Sequence, residues 1–189
     1  MLEILDSLIL KEAVVSVDAI NTQKKIAEKI IEKKGHYVMA LKNNHRLFRA
    51  ETEAYFHKIQ RESPELIEYY EETVCERSRI DKRYYQKLVV TDWLSEAKEW
   101  AGIQSVSCVT RTREDKTSGK IKEDKAFYIS SLNAPAKQLA QSVRGHWEVE
   151  NKVHWVLDVV YKEDDCPISA EDGAENMAIL RRFALNLSR

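Results

Sequence analysis

The sequence predicts an α/β protein with a block of antiparallel β structure set into it. Three observations carry that expectation. A strand, a helix and a second strand follow one another within residues 13–41. Over about 69–131 the apolar residues change from helical spacing to alternation. From about 132 the helical spacing returns and holds to the end. The first pattern is a βαβ unit, whose strands run parallel because the crossover helix carries the chain back. The second is the period of half-buried strands.

The elements are read in order. Leu2, Leu5, Leu8 and Ile9 form one side of a short amphipathic helix. Ala13-Val-Val-Ser-Val-Asp-Ala19 is nearly continuous in β-branched residues, as a strand buried on both faces requires, and Asp18 stands at its carboxyl end. Asn21 or Thr22 is placed to cap the next helix, whose apolar positions are Ile26, Ala27, Ile30 and Ile31. Gly35 would end it. Tyr37-Val-Met-Ala-Leu41 is the second buried strand, with Lys42 at its end. A helix from Asn44 to about Gln60 follows, broken at Ser63-Pro64. Glu71–Arg77, Tyr84–Thr91, Ser105–Thr112 and Lys125–Ser131 read as strands, the last two joined by a polar link containing Ser118-Gly119. A long helix starts near Ser131 or Asn133, has Pro135 in its first turn and continues to about Tyr161. After an acidic loop, Ala174–Leu187 forms a last helix with Met177, Leu180, Phe183, Ala184 and Leu187 as its core face.

Composition narrows the function. Apolar residues make up 43% and charged residues 32%, the balance of a folded protein. The formal net charge is −1, so contact with nucleic acid has to come from local basic patches. Three cysteines without a Cys-x-x-Cys pair give neither a zinc knuckle nor a disulfide framework, and a reducing, cytoplasmic setting fits. The N-terminus has no signal-peptide pattern, no run reaches the length of a membrane span, and no Gly-x-Gly-x-x-Gly or Walker A loop is present.

Several side chains stand out. Ligand chemistry in parallel sheets gathers at the carboxyl ends of strands, where Asp18 and Lys42 both fall. On the long helix, Val143, Trp147, Glu150, His154 and Leu157 share one side at 100° per residue, and His146 and His154 lie a turn before and after Glu150. A carboxylate on an apolar stripe needs a partner or a metal, so Glu150 is either a paired structural residue or a ligand. A strand-end Asp and a helix-borne Glu in an α/β chain suit divalent cations and phosphodiester chemistry. Two basic clusters lie in the β block. Arg77, Arg79, Lys82, Arg83 and Lys87 form one, interleaved with Tyr84 and Tyr85; Arg111, Arg113, Lys116, Lys120, Lys122 and Lys125 form the other. Each is either a solvated hairpin surface or a set of phosphate contacts.

Val17-Asp-Ala-x-x-Thr-Gln23, Tyr37-Val-x-Ala-Leu-Lys-x-Asn44, His146-Trp-x-Val-Glu-Asn-x-Val-His-Trp-Val-Leu-Asp158 and Asn176-Met-Ala-x-Leu-Arg-Arg-x-Ala-Leu-Asn186 are more specific. Together they resemble the DDE transposases of bacterial insertion sequences, in the H-repeat-associated (Rhs-linked) family, and the resemblance covers essentially the whole chain. It implies an RNase H-like (retroviral-integrase-like) core, with a β-rich insertion before the Glu-bearing helix: 1–68 partial core, 69–131 insertion, 132–189 C-terminal helices. It implies metal-dependent DNA strand cleavage and transfer, with two Mg²⁺ or Mn²⁺ ions held by three carboxylates. Asp18 would be the second of these and Glu150 the third. His146, His154, Lys42 and Gln23 would support them, and Arg77, Arg79, Lys82, Arg83 and Lys87 would meet DNA. The partners would be insertion-sequence ends and target DNA, with no membrane and room for a homo-oligomer.

Two departures bear on this. His146 stands where relatives often have Arg four residues before the acid, whereas Arg144 has that spacing to Glu148, which makes Glu148 the alternative acid. Nothing before Asp18 matches the first Asp of the triad, so the core is expected to be incomplete at its N-terminal side, as in a shortened transposase or a gene remnant. The chain alone is then expected to be catalytically silent. The alternatives are an inactive DNA-binding or oligomerisation remnant and an RNase H-like nuclease that only hydrolyses.

Overall fold

The strand β2 (His36–Leu41) has five of its six residues buried. Successive side chains of a strand point to opposite faces, so a strand apolar at almost every position must be covered on both. The computed structural model describes all residues except 76, 77, 150–152, 154, 155, 164, 169–171, 188 and 189. It contains two compact units, Met1–Val143 and Arg144–Arg189.

In the first unit β2 is paired along both edges. On one side it runs parallel to β1 (Val14–Val17), with Val17 opposite Met39. The crossover is α2 (Lys24–Glu32), which buries Ile26, Ala27 and Ile30. On the other side β2 runs antiparallel to β6 (Ile121–Ser130), with Leu41 opposite Phe127. The strands β5 (Ser105–Asp115), β4 (Arg79–Val89) and β3 (Glu68–Cys75) continue outward, giving the order β1-β2-β6-β5-β4-β3. The segment read as an insertion therefore extends the same sheet. Its strands are longer than the alternation alone suggested, because cross-strand pairing carries them through the charged residues at their tips.

One row of side chains shows how the core is set. Val17, Met39, Ile129, Val106 and Leu88 are in register across five strands, and all are buried. A shift of one residue in any strand would turn its apolar set to the other face. Over this row lie Phe48, Tyr55, Phe56 and Ile59 of α3 (Arg46–Glu62), Leu5 of α1 (Leu2–Ser7), and Leu94, Ala97 and Trp100 of the β4–β5 connection. The start of α4 (Ala136–Val149) is anchored to β3 and β4: Lys87 Nζ donates to Glu68 Oε2 at 3.0 Å and to the Ala134 carbonyl at 2.5 Å, and the Ala136 N–H donates to Glu68 Oε1 at 2.8 Å. Glu68 thus satisfies one of the open N–H groups at this helix end.

The register also sets the outline. Leu41 pairs with Phe127, Phe127 with Cys108 and Cys108 with Gln86. Residues 121–126, 109–115 and 79–85 therefore project past the carboxyl end of β2, towards the side on which Lys42 follows that strand.

The turn into β2 differs from expectation. The left-handed residue after α2 is Lys34 (φ 60°), not Gly35. Gly35 is required by space, since a Cβ there would lie 2.8 Å from the Leu10 carbonyl oxygen. In the second unit, Val156–Val160 is a π-helical turn, so the 100° spacing used to project the long helix does not extend to its end. The last helix, α5 (Gly173–Leu187), buries Leu185, while Leu180, Phe183 and Leu187 of the expected core stripe are exposed. Among the described residues no helix is long and apolar enough to cross a membrane.

Gly35→Ala should lower stability by about 1–3 kcal/mol, the usual cost of forcing atoms into a packed site. Urea unfolding of the two proteins side by side measures it; an unchanged midpoint would mean that the Leu10 backbone yields freely.

Candidate active-site edge and basic face

Asp18 and Lys42 meet at the carboxyl ends of the parallel strands, with Lys42 Nζ 2.9 Å from Asp18 Oδ1. Both are substantially exposed, at 43% and 63% of the side chain. Such a pair is worth about 0–1 kcal/mol, so it is readily exchanged for another ligand. The backbone beneath it is much more firmly held. Thr22 is fully buried and its hydroxyl donates to the Ala40 carbonyl at 2.8 Å, tying the segment after β1 to β2. Asn44 Nδ2 donates to the Ala19 carbonyl at 2.5 Å, and His45 Nε2 lies 2.6 Å from the Thr22 carbonyl. Residues after β2 thereby clamp the turn that carries Asp18, while Asp18 itself stays accessible.

The sequence offers Asn21 or Thr22 as the helix cap, yet the N-cap position of α2 is Gln23. The Gln23 side chain does not cap either, and reaches back to the Ile20 carbonyl at 3.4 Å. Asn44 and His45 have no role assigned from sequence, and Thr22 has only that of a cap. Their signal was present, since Thr22 and Asn44 lie within the two motifs that hold Asp18 and Lys42.

His146 is half-buried in the last turn of α4, and Glu148, beside it in the chain, is exposed. Glu150, His154 and Arg77 lie outside the described residues. Among the described residues no group of three His, Cys, Asp or Glu side chains is placed to hold a metal ion. Asp18 offers a hard oxygen donor at an open strand end, the ligand type that Mg²⁺ and Mn²⁺ favour.

The basic residues divide between the two faces of the sheet. Arg79, Arg83 and Lys87 alternate on one face of β4, and Lys82 points to the other. Lys87 is 8% exposed and is engaged with Glu68 and α4. Arg83 is likewise 8% exposed and lies between Glu72, at 3.6 Å, and Asp81, at 3.8 Å. Directly across from Asp81 and Arg83 stand Arg113 and Arg111 of β5. The Arg111 guanidinium reaches Asp81 Oδ2 at 3.0 Å, Arg113 Nε reaches Oδ1 at 3.2 Å, and Arg79 Nε lies 3.7 Å from Oδ2. Two clusters distant in sequence are thus one surface, centred on a carboxylate that is 3% exposed. Burial pushes the Asp81 pKa up, but hydrogen bonds and charge from Arg111 and Arg113 outweigh it and hold the group below the ordinary carboxylate value. For Glu68, burial is likewise outweighed, by the Ala136 N–H and by Lys87.

Comparison with known proteins identifies the class. The profile of the transposase DDE domain matches residues 1–187, and the chain belongs to that family. It is 34% identical to "H repeat-associated putative transposase YhhI" of Escherichia coli (strain K12), over 98% of this chain and 50% of that protein. It is 35% identical to "Putative protein YbfL" of the same strain, with the same coverage. With "Putative transposase YncI" of Escherichia coli O157:H7 the identity is 31%, over 99% of this chain and 48% of that one. The chain spans about half the length of these curated relatives. No solved structure matches it significantly.

Thr22→Val keeps the shape and removes the hydroxyl that bridges to Ala40. Chemical denaturation should show a loss of about 1–2 kcal/mol, the cost of leaving a buried carbonyl without its donor. Acid should weaken the β3–β6 region as well. Asp81 and Glu68 are depressed in the folded state, so their contribution is complete above the ordinary carboxylate pKa and is lost as pH falls through their folded values. Stability measured from neutral pH downward should therefore drop below about pH 4; Asp81→Asn, less stable at neutral pH, should show a shallower acid limb.

Proposed function

We propose that this chain is the catalytic half of a DNA transposase, carrying out metal-dependent strand cleavage and transfer at insertion-sequence ends. The observation that carries the reading is Asp18, accessible at the end of a parallel strand on a turn held by the neighbouring strand and the residues just after it, in a chain of the DDE family. In an RNase H-like core, β1 and β2 would be the two adjacent parallel strands and β3–β6 the insertion. Asp18 and Glu150 would hold divalent cations, Mg²⁺ or Mn²⁺, which stabilise charge on the attacking and leaving oxygens when bound.

The remaining roles belong to the chain's own side chains. Lys42, paired to Asp18 by a surface contact alone, is free to turn to a phosphate oxygen once another cation takes the carboxylate. Thr22, Asn44 and His45 keep the turn from shifting, which matters because a displacement of about 1 Å at a reacting centre costs on the order of 100-fold in rate. His146 and His154, four residues before and four after Glu150 in the sequence, are the candidates to orient its carboxylate, as an imidazole N–H can. The basic surface of β4 and β5 supplies backbone contacts that position DNA without reading its sequence. Arg79, Arg111 and Arg113 form its accessible part, and Lys82, on the opposite face, would meet a different segment.

Asp18 and Glu150 provide two of the three carboxylates of a DDE site. The chain alone should therefore leave end-containing DNA intact in Mg²⁺ or Mn²⁺. Joined to the upstream half of the H repeat-associated relative, it should nick and join, and Asp18→Ala or Glu150→Gln should each reduce this at least about 100-fold. Nicking by the chain alone that vanishes in Asp18→Ala would overturn the requirement for a third acid. A joined protein that nicks DNA but never uses a 3′-hydroxyl as nucleophile would be a nuclease.

A further inference from the structure

Arg49 of α3 is a half-buried cation held in place by neutral partners. Its Nη1 donates to Asn43 Oδ1 at 2.9 Å, and its guanidinium lies over the Phe127 ring, 5.9 Å from the centroid. Phe127 is 3% exposed, so the ring is a fixed support. Among the described residues Arg49 makes no ion pair, and Glu53, one turn further along the helix, makes none either. Arg46, in the same turn, is exposed and has neither a hydrogen bond nor an ion pair among the described residues. The first turn of α3 thus carries two arginines and no acid, although this end of a helix favours carboxylates. A hydrogen bond that only braced the turn after β2 would need a neutral donor. A guanidinium brings a charge that its partners leave unneutralised.

The register puts this cation beside the acidic edge. Leu41, the last residue of β2, is opposite Phe127 of β6. Lys42 follows Leu41 and pairs with Asp18 at 2.9 Å, and Asn43 is the next residue. Asp18 and Arg49 therefore flank the end of β2, Asp18 on the β1 side and Arg49 on the β6 side. β1 and β6 are two strand spacings apart, about 10 Å. That is the rise of roughly three nucleotides along one strand of a duplex. A DNA backbone with one phosphate at Asp18 brings another towards Arg49, and phosphate is the acceptor that a guanidinium fork fits.

We propose that Arg49 is a DNA contact, holding a backbone phosphate a few nucleotides from the one at Asp18, and that Asn43 is the positioning residue that fixes its guanidinium before DNA arrives. The inference rests on the DNA reading of the protein. Lys42 has to leave Asp18 to reach a phosphate, whereas Arg49 has no carboxylate to give up. The contact carries no base sequence and sets the register of the strand against the strand-end acid. A guanidinium already held by Asn43 and Phe127 loses less freedom on binding than a loose one, so Asn43 adds affinity without adding charge.

Binding of the full chain to a fluorescein-labelled duplex of random sequence is followed by anisotropy over roughly 50 to 200 mM salt. Arg49→Ala is compared with Arg61→Ala, which removes the same charge from the exposed far end of the same helix, about 18 Å away at the helical rise. Arg49→Ala should bind about tenfold more weakly, with a salt slope lower by about one, as expected when a phosphate contact is lost. Arg61→Ala should stay within about twofold of the parent at an unchanged slope. Asn43→Ala alters no charge, so net charge alone requires no effect; it should nonetheless weaken binding about threefold through the loosened guanidinium. If Arg49→Ala does not fold by circular dichroism, Asn43→Ala decides. A folded Arg49→Ala protein that binds like Arg61→Ala, or an Asn43→Ala protein with parental affinity, overturns the assignment and leaves the DNA reading standing. A parent chain with no salt-dependent binding overturns the DNA reading, and this inference with it.

Discussion

The first unit depends on one requirement: β2 has to be covered on both faces and paired on both edges. Its five buried residues leave no side for water, and its two partners differ in direction, parallel on one edge and antiparallel on the other. The parallel edge brings Asp18 beside Lys42. The antiparallel edge joins the βαβ unit to the long strands that carry the arginines. Hydroxyls complete the junction, with Ser130 Oγ donating to the Tyr37 carbonyl and Ser131 Oγ accepting from the Tyr37 N–H. A polar substitution at Met39 or Ile129 would therefore disturb the acidic edge and the basic surface together, although it touches neither.

Exposure is distributed in a consistent way. Asp18 and Lys42, which exchange partners in the proposed chemistry, are exposed and weakly paired, while the groups that fix their backbone are buried and hydrogen-bonded. On the β surface the order is reversed in depth but similar in logic. Asp81 and Arg83 lie inside, and Arg79, Arg113 and Lys122 form an outer rim that a ligand can reach. In both places a rigid inner layer carries a labile outer one.

Much of the α/β portion was legible because continuous β-branched runs have few alternatives. Val14–Val17 and Tyr37–Leu41 can be satisfied only by burial on both faces, and their carboxyl ends then identify Asp18 and Lys42. The basic surface was legible in composition but not in arrangement. Neighbours in sequence, such as Lys82 and Arg83, lie on opposite faces of a strand, whereas Arg83 and Arg111 become neighbours through pairing. Alternation along Arg79-Ile-Asp-Lys-Arg83 contained the first half of that information; the second half needed the register. Lys87 counted as a surface cation in sequence, yet Glu68 and the start of α4 take it up. The π-helical turn at Val156–Val160 had no signal, because an all-apolar run with one Asp fits either winding.

The join between β2 and β6 has a kinetic side. Leu41 and Phe127 are partners across a sheet but far apart along the chain, whereas β3, β4, β5 and β6 each pair with the strand next in sequence. Local pairings close small loops and form early; distant ones pay a larger entropy first. The four-stranded meander can therefore assemble on its own and present β6 as a template, on which β2 docks with β1 following. Until it does, β6 has an open apolar edge, and the arginines at the meander's tips leave that intermediate locally positive, which opposes pairing between two copies.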